Sequence, residues 1–130
     1  MRAVAVCLIW NDQGEVLLAQ KSDGLWEFPG GKQEPDETLM QCAEREIREE
    51  LNLQIEALEK TGPQINISKT LAPLQLELVT CRLLSGSIQL HEHVQAKWVS
   101  PMELQQHELC PPDAALWLMY LEQLRFTTDS

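Results

Sequence analysis

The sequence predicts an α+β fold in which a mixed β-sheet lies between helices. Three observations support this prediction. Two segments near the amino terminus have the β-branched, apolar composition of strands and flank a turn sequence. A central segment repeats apolar residues at every fourth position, as helices do. Further strands and a second helical segment follow, and 130 residues suffice for a single domain, 1–130, with one core.

The first two strands are predicted to form a hairpin. Residues 3–10 are mostly β-branched or apolar, and the turn-forming sequence 11–14, Asn-Asp-Gln-Gly, follows them. Residues 15–21 then form the second predicted strand. Residues 26–28 alternate briefly between apolar and polar side chains, and the Pro-Gly-Gly sequence at 29–31 is expected to end this strand.

The central helix is predicted over residues 35–51, with Asp36 as its N-cap. Its apolar positions recur at helical spacing and are Leu39, Ala43, Ile47 and Leu51. This spacing places one apolar stripe against the sheet and leaves the remaining faces of the helix to charged residues.

The second half of the chain is predicted to return to strands and to end in a helix. The predicted elements are strands at 65–70, 74–84 and 96–99, one helical turn at 101–105 and a helix at 114–124. Pro73 and the Ser-Gly-Ser sequence at 85–87 are the expected turns between them. On the last helix, an apolar stripe of Leu116, Tyr120 and Leu124 is expected to face the core beside Trp117 and Leu121.

Charge and composition limit the possible partners. Ten Lys and Arg against twenty Asp and Glu give a net charge of −10. This charge argues against duplex nucleic acid or an anionic membrane as the partner, because both favour basic surfaces. With no apolar run long enough to span a membrane and no good signal peptide, a cytoplasmic location is expected. The four cysteines are widely spaced, so four reduced thiols are expected rather than a zinc site.

The central helix carries three acidic residues on one face. Glu46, Glu49 and Glu50 are related as i, i+3 and i+4. Two carboxylates about 5 Å apart repel by roughly 3 kcal/mol at an effective dielectric constant of about 20. A hard divalent cation such as Mg²⁺ would reverse the sign of this interaction. The alternative is a solvated acidic face whose charge Arg45 and Arg48 screen.

The whole segment resembles the Nudix box. The matching positions are Gly31, Glu37, Arg45, Glu46, Ile47, Glu49, Glu50, Asn52 and Leu53. The one departure is Asn52, where the family has Gly, and Asn is among the few residues that tolerate a left-handed helix end. Residues 25–32, the Trp98-Val99 strand and the Pro-Pro-Asp sequence at 111–113 are also similar to MutT-like Nudix enzymes, so the resemblance covers nearly the whole chain.

The resemblance implies a Nudix fold and hydrolysis of a nucleoside diphosphate linked to another group. By carry-over, Mg²⁺ or Mn²⁺ is bound by Glu46, Glu49, Glu50, the backbone carbonyl of Gly30 and a loop residue, Glu92. All four glutamates are candidate catalytic residues. Glu46 is the first choice for the general base and Glu92 the second. Attack at the β-phosphorus of a nucleoside triphosphate would give a monophosphate and pyrophosphate.

Other residues are assigned to substrate or to support of the motif. The substrate-binding candidates are Lys21, Glu27, Phe28, Pro29, Gly30, Lys32 and Asp113. For Lys32, contact with phosphate and capping of the loop are equally good interpretations. Arg45 is expected to pair with Glu37 and, with Gly31, to support the motif rather than to touch substrate. His91 and His93 are expected to be a solvated pair and not metal ligands.

Asp113 occupies the position at which MutT-like enzymes read the nucleobase edge. An ionised Asp only accepts hydrogen bonds, which suits guanine, 8-oxoguanine or the N4 amino group of cytosine. The alternative role is N-cap of the last helix. The leading hypothesis is therefore an 8-oxo-dGTP or dGTP pyrophosphohydrolase that sanitises the nucleotide pool and so supports DNA repair.

Two other functions are retained as alternatives. One is a CTP or dCTP pyrophosphohydrolase. Asp113 favours this function, because the best-known enzyme of the MutT-like subgroup has Asn at the corresponding position. The other is a non-catalytic Nudix module that senses a nucleotide, although a complete set of carboxylates argues against it. The sequence does not distinguish a monomer from a homodimer.

Overall fold

The computed structural model describes residues 1–68 and 71–128, without the side chains of 126–128. It contains seven strands and three helices within these residues. In chain order they are β1 (Arg2–Trp10), β2 (Val16–Gln20), β3 (Trp26–Glu27), β4 (Gly30–Lys32), α1 (Leu39–Leu51), β5 (Leu53–Ile67), β6 (Leu74–Gly86), β7 (Gln95–Val99), α2 (Pro101–Leu104) and α3 (Pro111–Thr128).

The seven strands form one mixed sheet in the order β3-β2-β1-β6-β5, with β4 paired to β1 and β7 paired to β2. Strand β1 lies at the centre and pairs in parallel with β6, while β5 and β6 pair antiparallel. Near its start, β1 pairs with β4, with Ala5 opposite Gly31. Near its end it pairs with β2 through Trp10 and Val16. Because β4 pairs with the central strand β1, the segment that precedes α1 is held against the centre of the sheet.

Helices α1 and α3 cover opposite faces of this sheet. Successive side chains of β1 point to alternate sides, so neighbouring residues of this strand pack against different helices. Cys7 and Ile9 pack in one buried cluster with Ile47 of α1. Leu8 packs in a second cluster with Leu116 of α3. The predicted α+β fold, a mixed sheet between helices, is therefore confirmed.

Several predicted boundaries are wrong. Helix α1 begins at Leu39, and its N-cap is Thr38 rather than Asp36. Thr38 Oγ1 accepts a hydrogen bond from the Gln41 N–H, and the Gln41 side chain accepts one from the Thr38 N–H. This reciprocal capping box satisfies two backbone donors and places the N-cap two residues after Asp36.

The sequence prediction missed strand β4 and most of strand β5. Residues 30–32 form a strand although they contain two glycines, because the edge of β1 is available to them. The predicted strand 65–70 is only the end of a longer strand, β5, that begins at Leu53. Its bulges interrupt the apolar alternation, which hides it in the sequence. Residues 69 and 70 of the prediction lie outside the described part.

The last helix is longer than predicted and begins at Pro111. Leu116 and Trp117 are buried and Tyr120 is half-buried, but Leu124 is 44% exposed, so the predicted core stripe ends before it. All four cysteines are buried free thiols, as expected. No helix within residues 1–68 and 71–128 combines the length and the apolar character needed to cross a membrane.

Candidate active site

The acidic face of α1 is partly buried beneath neighbouring segments. Glu50 is only 7% exposed, and its Oε2 atom is buried without a hydrogen-bond partner among the residues that the structure describes. Burial, followed by the charges of Glu92 and Glu46, raises the pKa of Glu50 to about 9. Both causes disfavour the ionised form of Glu50, because burial removes water from the charge and neighbouring carboxylates repel it.

Glu46 lies one turn before Glu50 and is half-buried. Burial raises its pKa, the Arg45 guanidinium opposes this, and the charges of Glu49 and Glu92 add to it. The Glu46 carboxylate packs directly over Gly31, where an added Cβ would lie 2.2 Å from Glu46 Cδ. Because Gly31 has no side chain, the Glu46 carboxylate can occupy this position.

At position 30, glycine is required for a different steric reason. A Cβ on Gly30 would lie 1.8 Å from the carbonyl oxygen of Ala5, which belongs to the neighbouring strand β1. The adjacent Pro29 is buried, and its carbonyl oxygen accepts a hydrogen bond from the Cys7 N–H at 2.9 Å. These contacts hold the backbone of residues 29–31 against the sheet, under the acidic face of α1.

Arg45 connects the two ends of this motif. Its Nη2 lies 2.6 Å from Glu37 Oε1 and its Nε donates to Glu37 Oε2 at 2.9 Å, which is a bidentate pair. Nη1 also contacts Glu46 at 3.0 Å and Glu49 at 3.2 Å, and Nη2 donates to the carbonyl of Lys32 at 3.1 Å. The guanidinium lowers the pKa of Glu37 to about 2. Arg45 therefore ties the loop before α1 to the helix.

The donor set suits a hard divalent cation. Glu46, Glu50 and Glu92 supply only oxygen atoms, their charges act on one another, and one buried carboxylate oxygen is unpartnered among the described residues. Glu49 is more exposed, with 59% of its side chain accessible. The residues present fit Mg²⁺ or Mn²⁺, and the assignment of individual ligands stays a prediction.

A second group of polar residues lies at the start of α3. Asp113 is buried, and its Oδ2 accepts a hydrogen bond from the Phe28 N–H at 2.9 Å. Burial raises the pKa of Asp113 to about 7, the Phe28 hydrogen bond opposes this, and the Glu27 charge adds to it. The alternative N-cap role is wrong, because α3 begins at Pro111 and the Asp113 carboxylate reaches across to β3 and β4 instead.

The segment before α3 brings this group together. The Trp26 N–H donates to the Glu108 carbonyl at 2.9 Å, and the Cys110 N–H donates to the Trp26 carbonyl at 2.8 Å. As a result, ligand atoms of Glu27, Cys110 and Asp113 all lie within 4.8 Å of one another. Cys110 was not predicted as a site residue, since its sequence neighbours carry no signal for this long-range pairing.

Two predicted lysines lie at the edges of the site. The Cys110 thiol is the largest cause of the raised pKa of Lys21, and Lys21 Nζ lies 3.5 Å from Asp23 Oδ2. Lys32 is exposed, and its backbone carbonyl accepts from Arg45. The phosphate-binding and loop-capping interpretations of its side chain both stay predictions.

A cavity of about 110 Å³ lies beside the Asp113 group. Its lining residues are Val4, Ala5, Val6, Glu27, Phe28, Gly30, Gly31, Leu76 and Asp113. Gly31, one of these residues, lies against the Glu46 carboxylate of α1. The candidate substrate residues Glu27, Phe28, Gly30 and Asp113 therefore line one cavity, next to the acidic face of α1.

The expectation that His91 and His93 form a solvated pair is wrong for His93. The His93 side chain is only 4% exposed, and its Nε2 lies 2.8 Å from Glu27 Oε2. His91 is exposed, as expected. Glu92, between them, is exposed but acts electrostatically on both Glu46 and Glu50. The sequence contained no signal for the His93–Glu27 contact, because 66 positions separate the two residues.

Fold and site together define the class of protein: an α+β enzyme domain with a helical carboxylate cluster that suits a divalent cation. Residues 1–119 match the NUDIX domain, so the chain belongs to the Nudix family and is a Nudix hydrolase. Such enzymes act on nucleotide substrates and generally use a divalent metal ion.

Individual relatives agree with this assignment. The chain is 40% identical over 122 residues to a protein named CTP pyrophosphohydrolase from Escherichia coli (strain K12), covering 89% of this chain and 88% of that one. It is 32% identical to a putative 8-oxo-dGTP diphosphatase 2 of Mycobacterium tuberculosis, covering 69% and 64%. The solution structure of the E. coli ORF135 protein superposes with a TM-score of 0.79 at 36% identity, covering 96% and 91%.

Proposed function

We propose that this protein hydrolyses a cytosine nucleoside triphosphate, CTP or dCTP, to the monophosphate and pyrophosphate. The observation that carries the proposal is the buried carboxylate of Asp113, which lines the same cavity as Gly31, and Gly31 lies against Glu46 of α1. This arrangement lets one substrate place its base against Asp113 and its phosphates against the metal-binding glutamates. The E. coli relative at 40% identity has the same named activity.

The phosphate end requires a divalent cation, which Glu46, Glu49, Glu50, Glu92 and the Gly30 carbonyl would hold. When bound, this ion neutralises phosphate oxygens and lowers the pKa of a bound water. Glu46 is the proposed general base, because Gly31 and Arg45 hold its carboxylate in place. Glu92 is the alternative base. Water adds to the β-phosphorus, the bond from this phosphorus to the oxygen that bridges the α-phosphate breaks, and the nucleoside monophosphate leaves. The water oxygen stays in the pyrophosphate, and the carboxylate takes the water proton.

The base end would select cytosine through its amino group. An ionised Asp113 accepts a hydrogen bond from the N4 amino group, whereas uracil and thymine present an oxygen there and would be repelled. The cavity is also small, at about 110 Å³, and a one-ring base needs less room than a two-ring base. For these reasons we place the cytosine nucleotides before 8-oxo-dGTP, the reverse of the order that the sequence favoured.

The second candidate is 8-oxo-dGTP or dGTP. A carboxylate at position 113 can also accept from the N1–H and amino group of guanine. The mycobacterial relative at 32% identity carries an 8-oxo-dGTP name, which supports this candidate. Either activity would take place in the cytoplasm, where the nucleotide pools are.

A nucleotide panel tests the proposal. The protein is incubated with Mg²⁺ and each of CTP, dCTP, UTP, dTTP, GTP, dGTP and 8-oxo-dGTP, and the monophosphate and pyrophosphate are quantified. We expect the highest kcat/KM for CTP or dCTP. A higher value for 8-oxo-dGTP would favour the second candidate, and tight binding without hydrolysis of any nucleotide would favour a sensing module.

Asp113→Asn tests the base end by itself. The change replaces one acceptor oxygen with a donor, so the N4 amino group of cytosine loses its partner. Leaving a buried polar group unsatisfied costs roughly 1–3 kcal/mol, so kcat/KM for CTP should fall about tenfold to a hundredfold. In the wild type, this kcat/KM should also fall as the pH drops below about 7 and Asp113 becomes protonated. The variant should lack that part of the pH profile; equal rates for both proteins would remove Asp113 from base selection.

A further inference from the structure

The loop between β6 and β7 carries Glu92 and is held to the sheet at both ends. The Gln89 N–H donates to the Leu51 carbonyl at 3.0 Å, and the Val94 N–H donates to the Gln20 carbonyl at 2.9 Å. Between these two backbone anchors, the His93 side chain turns inward to Glu27 while its neighbour Glu92 is exposed. The loop is therefore attached beside Glu92 by one buried side chain.

The contact between His93 and Glu27 is a hydrogen bond. An ionised carboxylate only accepts, so the proton of the pair lies on His93 Nε2, which donates to Glu27 Oε2 at 2.8 Å. His93 Nδ1 is buried without a partner in the described part of the chain.

Glu27, the partner of His93 in this contact, is held within the sheet. It lies in β3, where it pairs with Ala19 of β2. Its charge contributes to the raised pKa values of both Glu50 and Asp113, and it lines the same cavity as Asp113, so it lies near both groups. A loop attached to Glu27 is consequently attached to the part of the sheet that the substrate contacts.

We propose that His93 is a positioning residue whose hydrogen bond to Glu27 holds Glu92 beside Glu46 and Glu50, where it completes the divalent-cation site. The proposal rests on the proposed function, because it needs Glu92 to be a metal ligand. His93 itself touches neither metal nor nucleotide. Residues that orient metal ligands in this way typically change metal affinity or activity by about tenfold to a hundredfold when they are removed.

The test compares His93→Gln with His93→Asn. A Gln side chain can place its amide N–H where His93 Nε2 lies, whereas Asn is one methylene shorter and cannot reach Glu27. Mn²⁺ binding to the nucleotide-free protein is measured by the electron paramagnetic resonance of free Mn²⁺. We expect His93→Asn and His93→Ala to weaken binding about tenfold or more, and His93→Gln to recover most of it. Thermal melting confirms that each compared variant is folded.

His91→Ala is the matched control, because His91 is the same residue type in the same loop but is exposed. It should bind Mn²⁺ as the wild type does. An unchanged Mn²⁺ affinity in folded His93→Asn would overturn the proposal. An equal loss in His91→Ala, or equal affinities for the Gln and Asn variants, would overturn it as well.

A double-mutant cycle shows whether His93 acts through Glu92. In a Glu92→Gln background, adding His93→Asn should lower kcat less than twofold and leave the Mn²⁺ affinity unchanged. A full additional loss would contradict the proposal. Because Mn²⁺ binding needs no substrate, it decides the role of His93 even if no nucleotide of the panel is hydrolysed, which would contradict only the proposed function.

Discussion

At the scale of single residues, two carboxylates of one motif have opposite environments. Glu37 accepts two hydrogen bonds from Arg45, which lowers its pKa to about 2. Glu50 is buried among other acids, which raises its pKa to about 9. A paired carboxylate stabilises the fold, whereas an unpaired buried one is costly and is retained where a ligand compensates it. The environments therefore separate the supporting residue from the candidate ligand.

Glu37→Gln should lower stability in a pH-dependent manner. The lowered pKa of Glu37 means that its ionised, paired form stabilises the protein above its ordinary pKa near 4.5, and that this stabilisation is lost as the pH falls towards 2. We expect a loss of roughly 1–3 kcal/mol at pH 7 by urea denaturation. The difference from the wild type should shrink at pH 3. A difference that does not change with pH would argue against the ion pair as its cause.

Gly30→Ala and Gly31→Ala should have different consequences. The Cβ at position 30 meets the backbone oxygen of Ala5, which cannot move without breaking the pairing of β1 with β4. We expect a loss of about 3 kcal/mol in unfolding free energy. The Cβ at position 31 meets the end of the flexible Glu46 side chain, so this variant should fold with a stability change within about 1 kcal/mol.

Activity should separate the two glycine variants further. Displacement of the Glu46 carboxylate in Gly31→Ala should lower kcat by about tenfold or more, because groups that orient a metal ligand have effects of this size. The measurement is the rate of monophosphate release at saturating nucleotide. Wild-type kcat in folded Gly31→Ala would show that the position of Glu46 over Gly31 is unimportant.

At the scale of elements, helix α1 is specified at both ends as well as along its length. The capping box at Thr38 sets its start, and its apolar stripe packs in the core, so the acidic face must point away from that core. At its end, Asn52 adopts a left-handed conformation with φ of 59°. A helix defined in this way presents its carboxylates on a rigid support.

Substitutions at Asn52 test the helix end. The Nudix pattern has Gly at this position, and Gly adopts a left-handed conformation without steric cost. Asn52→Gly should therefore unfold in urea within about 0.5 kcal/mol of the wild type. Asn52→Ala keeps a Cβ and loses the polar side chain, and should cost about 1–2 kcal/mol. Equal stability of the two variants would show that the left-handed turn does not matter.

At the scale of the whole molecule, the net charge of −10 opposes binding of a polyanionic nucleotide. At the acidic face of α1, burial and neighbouring charge raise the pKa values of Glu46 and Glu50, so additional negative charge is unfavourable there. A divalent cation counters both effects at one place. Metal binding and stability should consequently be linked.

Mg²⁺ should stabilise the wild type against urea by about 2.7 kcal/mol at a concentration of 100 times its Kd. Glu50→Gln should lose most of this gain, yet be more stable than the wild type in chelator at pH 7. The raised pKa of Glu50 means that the folded wild type must protonate a carboxyl group that is ionised in the unfolded chain, whereas Gln is neutral in both states. Hydrolysis should stop in excess chelator and fall by several orders of magnitude in Glu50→Gln. The control is NaCl at matched ionic strength, which separates general screening from specific binding. Activity that persists in chelator would contradict the metal requirement.

The sequence by itself determined the features that depend on short spacing. The periodicity of residues 39–51 predicts a helix and its buried stripe, and the i, i+3, i+4 spacing predicts that Glu46, Glu49 and Glu50 share a face. The strands β1 and β2 follow from composition and a turn. Local backbone geometry converts these spacings directly into positions, so no knowledge of the remaining chain is needed.

Only the tertiary structure decided the contacts between distant segments. Asp113 bonds to the Phe28 N–H across 85 positions, and His93 bonds to Glu27 across 66. Each contact depends on strand order and on where a loop is tethered, and sequence spacing carries no measure of either. The position of the Asp113 carboxylate and the placement of the loop that carries Glu92 therefore come from packing around β1 and β3, where burial and the need to satisfy backbone hydrogen bonds select one arrangement.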